Sequence, residues 1–333
     1  MNSNINFNNK TVLITGGAGF IGSNIALYLQ EKFPNTNIVI FDCFRNSSTF
    51  SNGNLQSFGH YKNLIGFQGD IICGNINSIK DLNLLSDYTF DYIFHQAAIS
   101  DTRTLDQDLI MQTNVNAFFS LLNIAKKNNA TMIYASSAAT YGSSVSPQTV
   151  GKESPENTYA YSKYAMDQLA IREIKKEGNI PIVGLRYFNV YGRNEYFKGK
   201  TSSMVIQLGH QILSNKVPRL FENSDKIFRD FVNIEDVVSA NINACSTKES
   251  GVFNIGTGIA RSFQDIADIL QKELGTNLGT NYFPNPYEGY QMHTQAEITS
   301  SKNLLGYKPL ISLEKGIKNY ISEIKRLHLE PIE

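Results

Sequence analysis

A tyrosine set four residues ahead of a lysine carries the most explicit chemistry in this chain. Tyr159-Ala160-Tyr161-Ser162-Lys163 opens a helical pattern, so Tyr159 and Lys163 fall one turn apart on the same face. A free phenol titrates at about 10 and is a poor base at neutral pH. An ammonium beside it, together with a cationic cofactor ring, favours the phenolate. Such a group can take a proton from a hydroxyl while hydride leaves the carbon. Upstream, residues 132–135 (MIYA) read as a strand that runs into Ser136-Ser137-Ala138-Ala139-Thr140. Open α/β sheets hold ligands at the C-terminal ends of their strands. A hydroxyl there can bond the reacting oxygen: Ser137 is the first choice by position, and Ser136 the fallback. Alone, a Tyr-x-x-x-Lys spacing is better read as a chance pair on a solvated helix, so the surrounding pattern has to decide.

That pattern starts with Gly16-Gly17-Ala18-Gly19-Phe20-Ile21-Gly22, directly after the apolar run at 11–15 (TVLIT). Gly16 permits a tight turn, Gly19 a close approach of backbone to a pyrophosphate, and Gly22 close packing of helix on sheet. The helix that follows offers its free N–H groups and positive dipole end to an anion. A second strand at 38–42 (IVIFD) ends in Asp42, about 20 residues on, where an acid binds the adenosine ribose. Asp42 favours a free 2′-hydroxyl and hence NAD, whereas Arg45, three residues later, suits a 2′-phosphate. The residues themselves leave that choice open.

The elements that would position these groups alternate, as in a parallel sheet covered on both faces. Helical spacing follows at 20–31. Further strands are expected at 92–95 (YIFH) and 182–188 (IVGLRYF), with a helix at about 110–127. Residues 46–59, rich in Asn, Ser and Gly, read as a loop or insertion. Past Asn189 the alternation loosens, with strands expected at 228–233 and 251–255. Ser262 and Asp265 are spaced as a capping box, and a final helix from Ser312 places Leu313, Ile317, Tyr320, Ile321, Ile324 and Leu327 on one face. The fold class is α/β: a Rossmann-type, doubly wound parallel sheet with a smaller mixed α/β substrate lobe at the C-terminal side.

Composition narrows the function. Thirty basic residues balance 30 acidic ones in 333, so no net field gathers nucleic acid or an anionic membrane. Cys43, Cys73 and Cys245 are scattered without CxxC spacing, which predicts neither disulfides nor zinc and fits a reducing cytoplasm. The five histidines are dispersed and no metal site is expected. Neither a signal peptide nor an apolar membrane span is expected.

GGAGFIG, IYASSAATYG (133–142), YAYSK, LRYFNVYG (185–192), FKGK, RLFENSDKIFRDFV (219–232), FNIGTG (253–258) and YQMHTQAE (290–297) together resemble the extended short-chain dehydrogenases/reductases that act on nucleotide sugars. Within that class the ADP-L-glycero-D-manno-heptose 6-epimerase family is the nearest likeness, over nearly the whole chain. The resemblance implies a bound NADP, with NAD kept as the alternative. It implies inversion of C6″ through a 6-keto intermediate with no net redox change, serving the supply of lipopolysaccharide core heptose. Protons are then handled on both faces of the sugar carbon, and the two acid/base groups match Tyr159 and Lys198; the alternative for Lys198 is a solvated loop lysine. Phe20, Ile21, Cys43, Gln96, Ala97, Ala98, Ser100, Asn114 and Val190 would line the cofactor with the glycines, Asp42, Arg45 and Lys163. Asn189, Lys200, Gln207, Phe221, Glu222, Asn223, Ser224, Arg229 and Tyr290 would meet the substrate. A guanidinium at Arg229 is apt for a diphosphate, unless it is held in an ion pair with Asp230 or Asp236. The implied domains are 1–187, with about 230–260 and 292–304 returning to it, and a smaller lobe of about 188–229, 261–291 and 305–333. A homo-oligomer, pentamer or dimer, is implied as well.

Two rivals remain. A UDP-hexose 4-epimerase keeps the serine and Tyr-x-x-x-Lys but works by rotating the keto sugar, so Lys198 discriminates. A dinucleotide-binding module without catalysis would be free to lose Tyr159, Lys163 or Ser137. A 4,6-dehydratase would need an acid near the reacting hydroxyl, and 136–140 has none.

Overall fold

The computed structural model describes residues 5–176, 180–247, 249–286 and 291–331. Among the described residues twelve strands are formed: β1 (Thr11–Thr15), β2 (Asn37–Asp42), β3 (Asp70–Cys73), β4 (Tyr92–His95), β5 (Thr131–Ser137), β6 (Ile182–Tyr187), β7 (Asn189–Tyr191), β8 (Arg219–Phe221), β9 (Phe228–Asn233), β10 (Gly251–Ile255), β11 (Ala260–Ser262) and β12 (Asn281–Phe283). The helices are α1 (Phe20–Lys32), α2 (Ile79–Leu82), α3 (Gln107–Ile110), α4 (Ala117–Asn128), α5 (Thr158–Ile174), α6 (Met204–Leu213), α7 (Ile234–Ala244), α8 (Phe263–Leu274), α9 (Thr299–Leu305) and α10 (Leu313–His328).

Seven strands make one sheet in the order β10-β6-β5-β4-β1-β2-β3, every pair parallel. The order reverses at β1, between β2 and β4, which opens a crevice beyond the strand ends there. Strand alternation sorts the core. Val12 and Ile14 point to the face covered by α1 and α7, through Ile25, Leu29 and Val237. Leu13 and Val39 point to the opposite face, covered by α4 and α5 through Phe118, Leu122, Met166 and Ala170. Both faces are thus apolar, as buried parallel strands require.

A separate cluster joins α6, α8 and α10 through Val205, Leu208, Ile266, Leu270, Ile317, Tyr320 and Ile324. Two small sheets accompany it, β11-β9-β7 and β12-β8. Ser262 and Asp265 form a reciprocal capping box on α8, and Ser312 caps α10. One difference concerns the helix expected at about 110–127. It starts at Gln107 and passes through a π-turn, Met111–Asn116, before α4.

Candidate active site

A cleft of about 760 Å3 opens at the C-terminal ends of the central strands, within the size range of small-molecule and cofactor sites. Its floor is the glycine turn. Gly16 has φ +68°, and a Cβ there would stand 2.6 Å from the Ala97 backbone nitrogen, while one at Gly22 would strike the Gly16 carbonyl. α1 begins with no side-chain cap and no acidic residue in its first turn. Its N–H groups and positive dipole end are left for an external anion. Asp42 lies in the wall, with Oδ2 accepting from the Ala18 N–H at 2.9 Å and Oδ1 from the Phe44 N–H at 2.8 Å. Burial pushes its carboxyl above the usual value, those two bonds opposing. Asp42 therefore braces the glycine turn against the end of β2 as well as facing the cleft. An uncapped helix start behind a positive-φ glycine, in a cleft of this size, fits a dinucleotide.

Above this floor, Tyr159 and Lys163 project from the first turns of α5, whose start is fixed by Asn157 accepting from the Ala160 N–H. The Tyr159 phenol is buried; burial raises its pKa and the neighbouring Ser137 hydroxyl works against that rise. Lys163 Nζ donates to the Ala135 carbonyl at 2.8 Å. Burial pulls the ammonium down to about 8, with Asp167 opposing. Successive strand residues face opposite ways, and this separates the two serines. Ser136 Oγ donates to Asp167 Oδ2 at 2.9 Å, while Ser137 is the serine that influences the phenol; both line the cleft. Asp167 is wholly buried and also takes the Tyr134 hydroxyl and two nitrogens of Arg186, at 2.9 and 2.8 Å. Arg186 reaches Glu153 as well. That network welds β5, β6 and α5 together beneath the reacting groups.

Lys198 enters the same cleft from a 3-10 segment, Tyr196–Thr201, and its Nζ stands 5.5 Å from the centre of the Phe20 ring. Burial lowers its pKa and Glu195 raises it. Glu195 is fully buried and accepts from the Gly192 N–H at 3.0 Å, the Ser203 N–H at 2.6 Å and the Ser203 hydroxyl at 2.9 Å. It ties together the two ends of the segment that carries Lys198.

Residues 12–256, which include the glycine turn, Ser137, Tyr159, Lys163 and Lys198, match the NAD dependent epimerase/dehydratase family. The chain belongs to that family. Among similar solved structures, an ADP-L-glycero-D-manno-heptose-6-epimerase from Helicobacter pylori is 46% identical, with 97% of this chain and 98% of that one covered and a TM-score of 0.88. A UDP-glucose 4-epimerase from Thermotoga maritima, solved with UDP-glucose, is 27% identical over 96% of this chain and 100% of that one, with a TM-score of 0.83. A UDP-glucuronic acid 4-epimerase from Bacillus cereus, solved with UDP-glucuronic acid and NAD, is 27% identical over 95% and 99%, with a TM-score of 0.81.

In this member of the epimerase/dehydratase family, the cleft brings together most of the residues picked out by sequence. Gly16, Gly19, Phe20, Ile21, Gly22, Asp42 and Cys43 line it with Gln96, Ala97, Ala98, Ser100, Ser137, Tyr159, Lys163, Asn189, Val190, Lys198 and Arg229. Arg229 donates to the Phe228 and Gln291 carbonyls. Asp230 is engaged by Thr257, Gly258 and Ala296, and Asp236 by the Leu310 and Ile311 amides, so neither acid is the ion-pair partner considered for Arg229.

Other expected contacts fall elsewhere. Asn114 is buried with its amide bonded to both backbone groups of Ile99 and to Ser162, so it shapes the cleft wall from behind. Arg45 leans toward the Phe197 ring, 6.0 Å away, and has one guanidinium nitrogen buried without an acceptor. Lys200 is exposed outside the cleft. Gln207 donates to the Ser202 carbonyl at 2.7 Å and acts through that cleft residue. Phe221 ends β8 and Glu222, Asn223 and Ser224 form the turn after it, where the Ser224 hydroxyl donates to the Phe221 carbonyl; none lines the cleft. Tyr290 lies outside the described residues. The sequence reading passed over the cleft residues Thr201, Ser202, Ser203 and Thr294 and the buried Glu195. Of these, only Thr294 sits in a motif that carried the family likeness. Among the described residues, no group of three or more His, Cys, Asp or Glu is placed to hold a metal, and no helix is long and apolar enough to cross a membrane.

Proposed function

We propose that this chain inverts C6″ of ADP-glycero-manno-heptose, and that the observation carrying this reading is Lys198 facing the same cleft as Tyr159. Two proton-handling groups on one cleft suit inversion at a carbon that is oxidised and then reduced on its other face. When bound, the nicotinamide supplies the hydride acceptor, the hydride donor for the return, and a positive ring next to the phenol. Tyr159, beside Ser137 in the cleft, exchanges the hydroxyl proton on one face. Lys198, whose burial favours the neutral amine, exchanges it on the other. Lys163 fixes the geometry: its ammonium is anchored on Ala135 and stands one turn from the phenol. Arg229 gives the cleft a cation for the diphosphate.

NADP is the proposed carrier. The support is the likeness to the heptose 6-epimerases; Arg45 itself turns toward the Phe197 ring and lies outside the cleft lining. We place the enzyme in the cytoplasm, where its three free cysteines would stay reduced. Incubation with ADP-D-glycero-D-manno-heptose, followed at C6″ by NMR, tests the reaction. Conversion at C6″ is expected. Inversion of a UDP-hexose at C4 with no change at C6″ would favour the rotating-sugar reading instead.

A further inference from the structure

The Asn- and Ser-rich stretch 46–59 does more than connect β2 to the rest of the sheet. Its base is closed, with the Arg45 N–H donating to the Gly59 carbonyl at 2.8 Å and the His60 N–H to the Ala18 carbonyl at 2.9 Å. Its middle doubles back on itself: Thr49 bridges Leu55, and the Phe50 N–H donates to the Asn54 carbonyl at 2.8 Å. Its tip reaches the other wall. Phe50 is 6% exposed and packs with Ile99 and Ile110. Asn52 Nδ2 and Asn54 Nδ2 both donate to Asp101 Oδ2, at 2.8 and 2.6 Å. Asp101 belongs to the segment after β4 and is itself 3% exposed. The loop thus leaves the β2 side of the crevice and is fastened on the β4 side. Along the way Asn46, Gln56, Ser57 and Phe58 line the cleft, as Ser100 and Thr102 do opposite.

The cleft portion under this bridge is the one beside Asp42 and the glycine turn, where the adenosine half of a dinucleotide would lie. A ligand seated there would lie between this loop and the glycine turn, so opening the contacts on Asp101 and Phe50 would widen its way out. For an enzyme that passes electrons to another substrate, such a barrier would slow every cycle. An inversion that takes hydride and returns it leaves the carrier unchanged, so a barrier to exchange does not obstruct turnover. Charge-assisted hydrogen bonds onto a buried carboxylate are among the stronger neutral-donor contacts a loop can make, and here two converge on one oxygen.

We propose that residues 46–59 form part of the dinucleotide site, a clasp over its adenosine half, with Asp101 as the latch that retains the carrier between turnovers. The proposal rests on reading the cleft as a dinucleotide site. The test uses the full-length holoenzyme, Asn52→Ala/Asn54→Ala, and separately Asp101→Asn, a change of charge with little change of shape. Each protein is passed repeatedly through gel filtration, denatured, and assayed for released nicotinamide dinucleotide by mass and amount. Dissociation of the reduced dinucleotide is timed by its fluorescence. Wild type should retain the dinucleotide, and the double variant should release it on the order of 10- to 100-fold faster, from the loss of two bonds to a charged acceptor. Asp101→Asn should fall between them and keep the same thermal midpoint within a few degrees. If wild type retains the dinucleotide and both variants release it no faster, the clasp is refuted while the site stands. If wild type binds no dinucleotide at all, both readings fail together.

Discussion

Lys163→Met should separate activity from stability. Lys163 is 2% exposed, and burial brings its ammonium from 10.5 to about 8 despite the attraction of Asp167. A folded-state value below the unfolded one means that, between pH 8 and 10.5, the native protein binds fewer protons than the unfolded chain. Stability therefore rises with pH across that window, and the penalty is present in full below pH 8. At about 1.4 kcal/mol per pH unit, keeping the charge buried costs about 3 kcal/mol. Against that relief, methionine leaves the buried Ala135 carbonyl without its donor, a loss of about 1–3 kcal/mol. The variant should be as stable as wild type at neutral pH, or up to about 2 kcal/mol more stable. It should also lack the wild-type gain between pH 8 and 10.5. Turnover should fall by about 100-fold or more, because the phenol loses its cationic neighbour. Urea unfolding at neutral and alkaline pH, run beside a turnover assay, checks both halves. A variant more than about 2 kcal/mol less stable at neutral pH would refute the reasoning, since it would mean the ammonium stabilises the fold where it lies.

Tyr159→Phe should reduce turnover by about 10²–10⁴-fold while the dinucleotide remains bound, measured by NMR rate and cofactor content together; near-normal epimerisation would remove the phenol from the mechanism. Lys198→Met should cripple inversion on a similar scale with Tyr159 intact, and full activity would point to a single-base mechanism with a rotating sugar. Arg229→Ala should raise KM for the nucleotide sugar more than it lowers kcat, because a phosphate contact is made in ground and transition states alike; an unchanged KM would take the diphosphate away from Arg229.

The central sheet was open to sequence reasoning because buried parallel strands are short apolar runs and the glycine turn sits where a strand meets a helix. β3 escaped it: Asp70–Cys73 is an edge strand, mostly exposed, with no apolar alternation to betray it. Ser137 was preferred to Ser136 by position alone; both line the cleft, and the fold engages Ser136 with Asp167, which spacing could not foretell. Asn114 shows the opposite limit. Spacing can put a residue on a helix near a cleft, but not foretell that its amide will be taken by Ile99. Residues 46–59 looked like connector for a similar reason, since their partners Ile99 and Asp101 lie about 50 positions away in sequence. Glu195 went unnoticed because nothing local marks a loop carboxylate as buried; only the fold brings Gly192 and Ser203 to it.

At the centre of the proposed reaction, hydride leaves C6″ and comes back within one cleft. Heptose substrate carrying deuterium at C6″, turned over in ordinary water and read by NMR or mass, measures this. The product should keep the label at the inverted carbon, because the cleft returns what it removed. Washout of the label into solvent would mean that the carbon is deprotonated rather than oxidised, and would contradict the role assigned to the dinucleotide cleft.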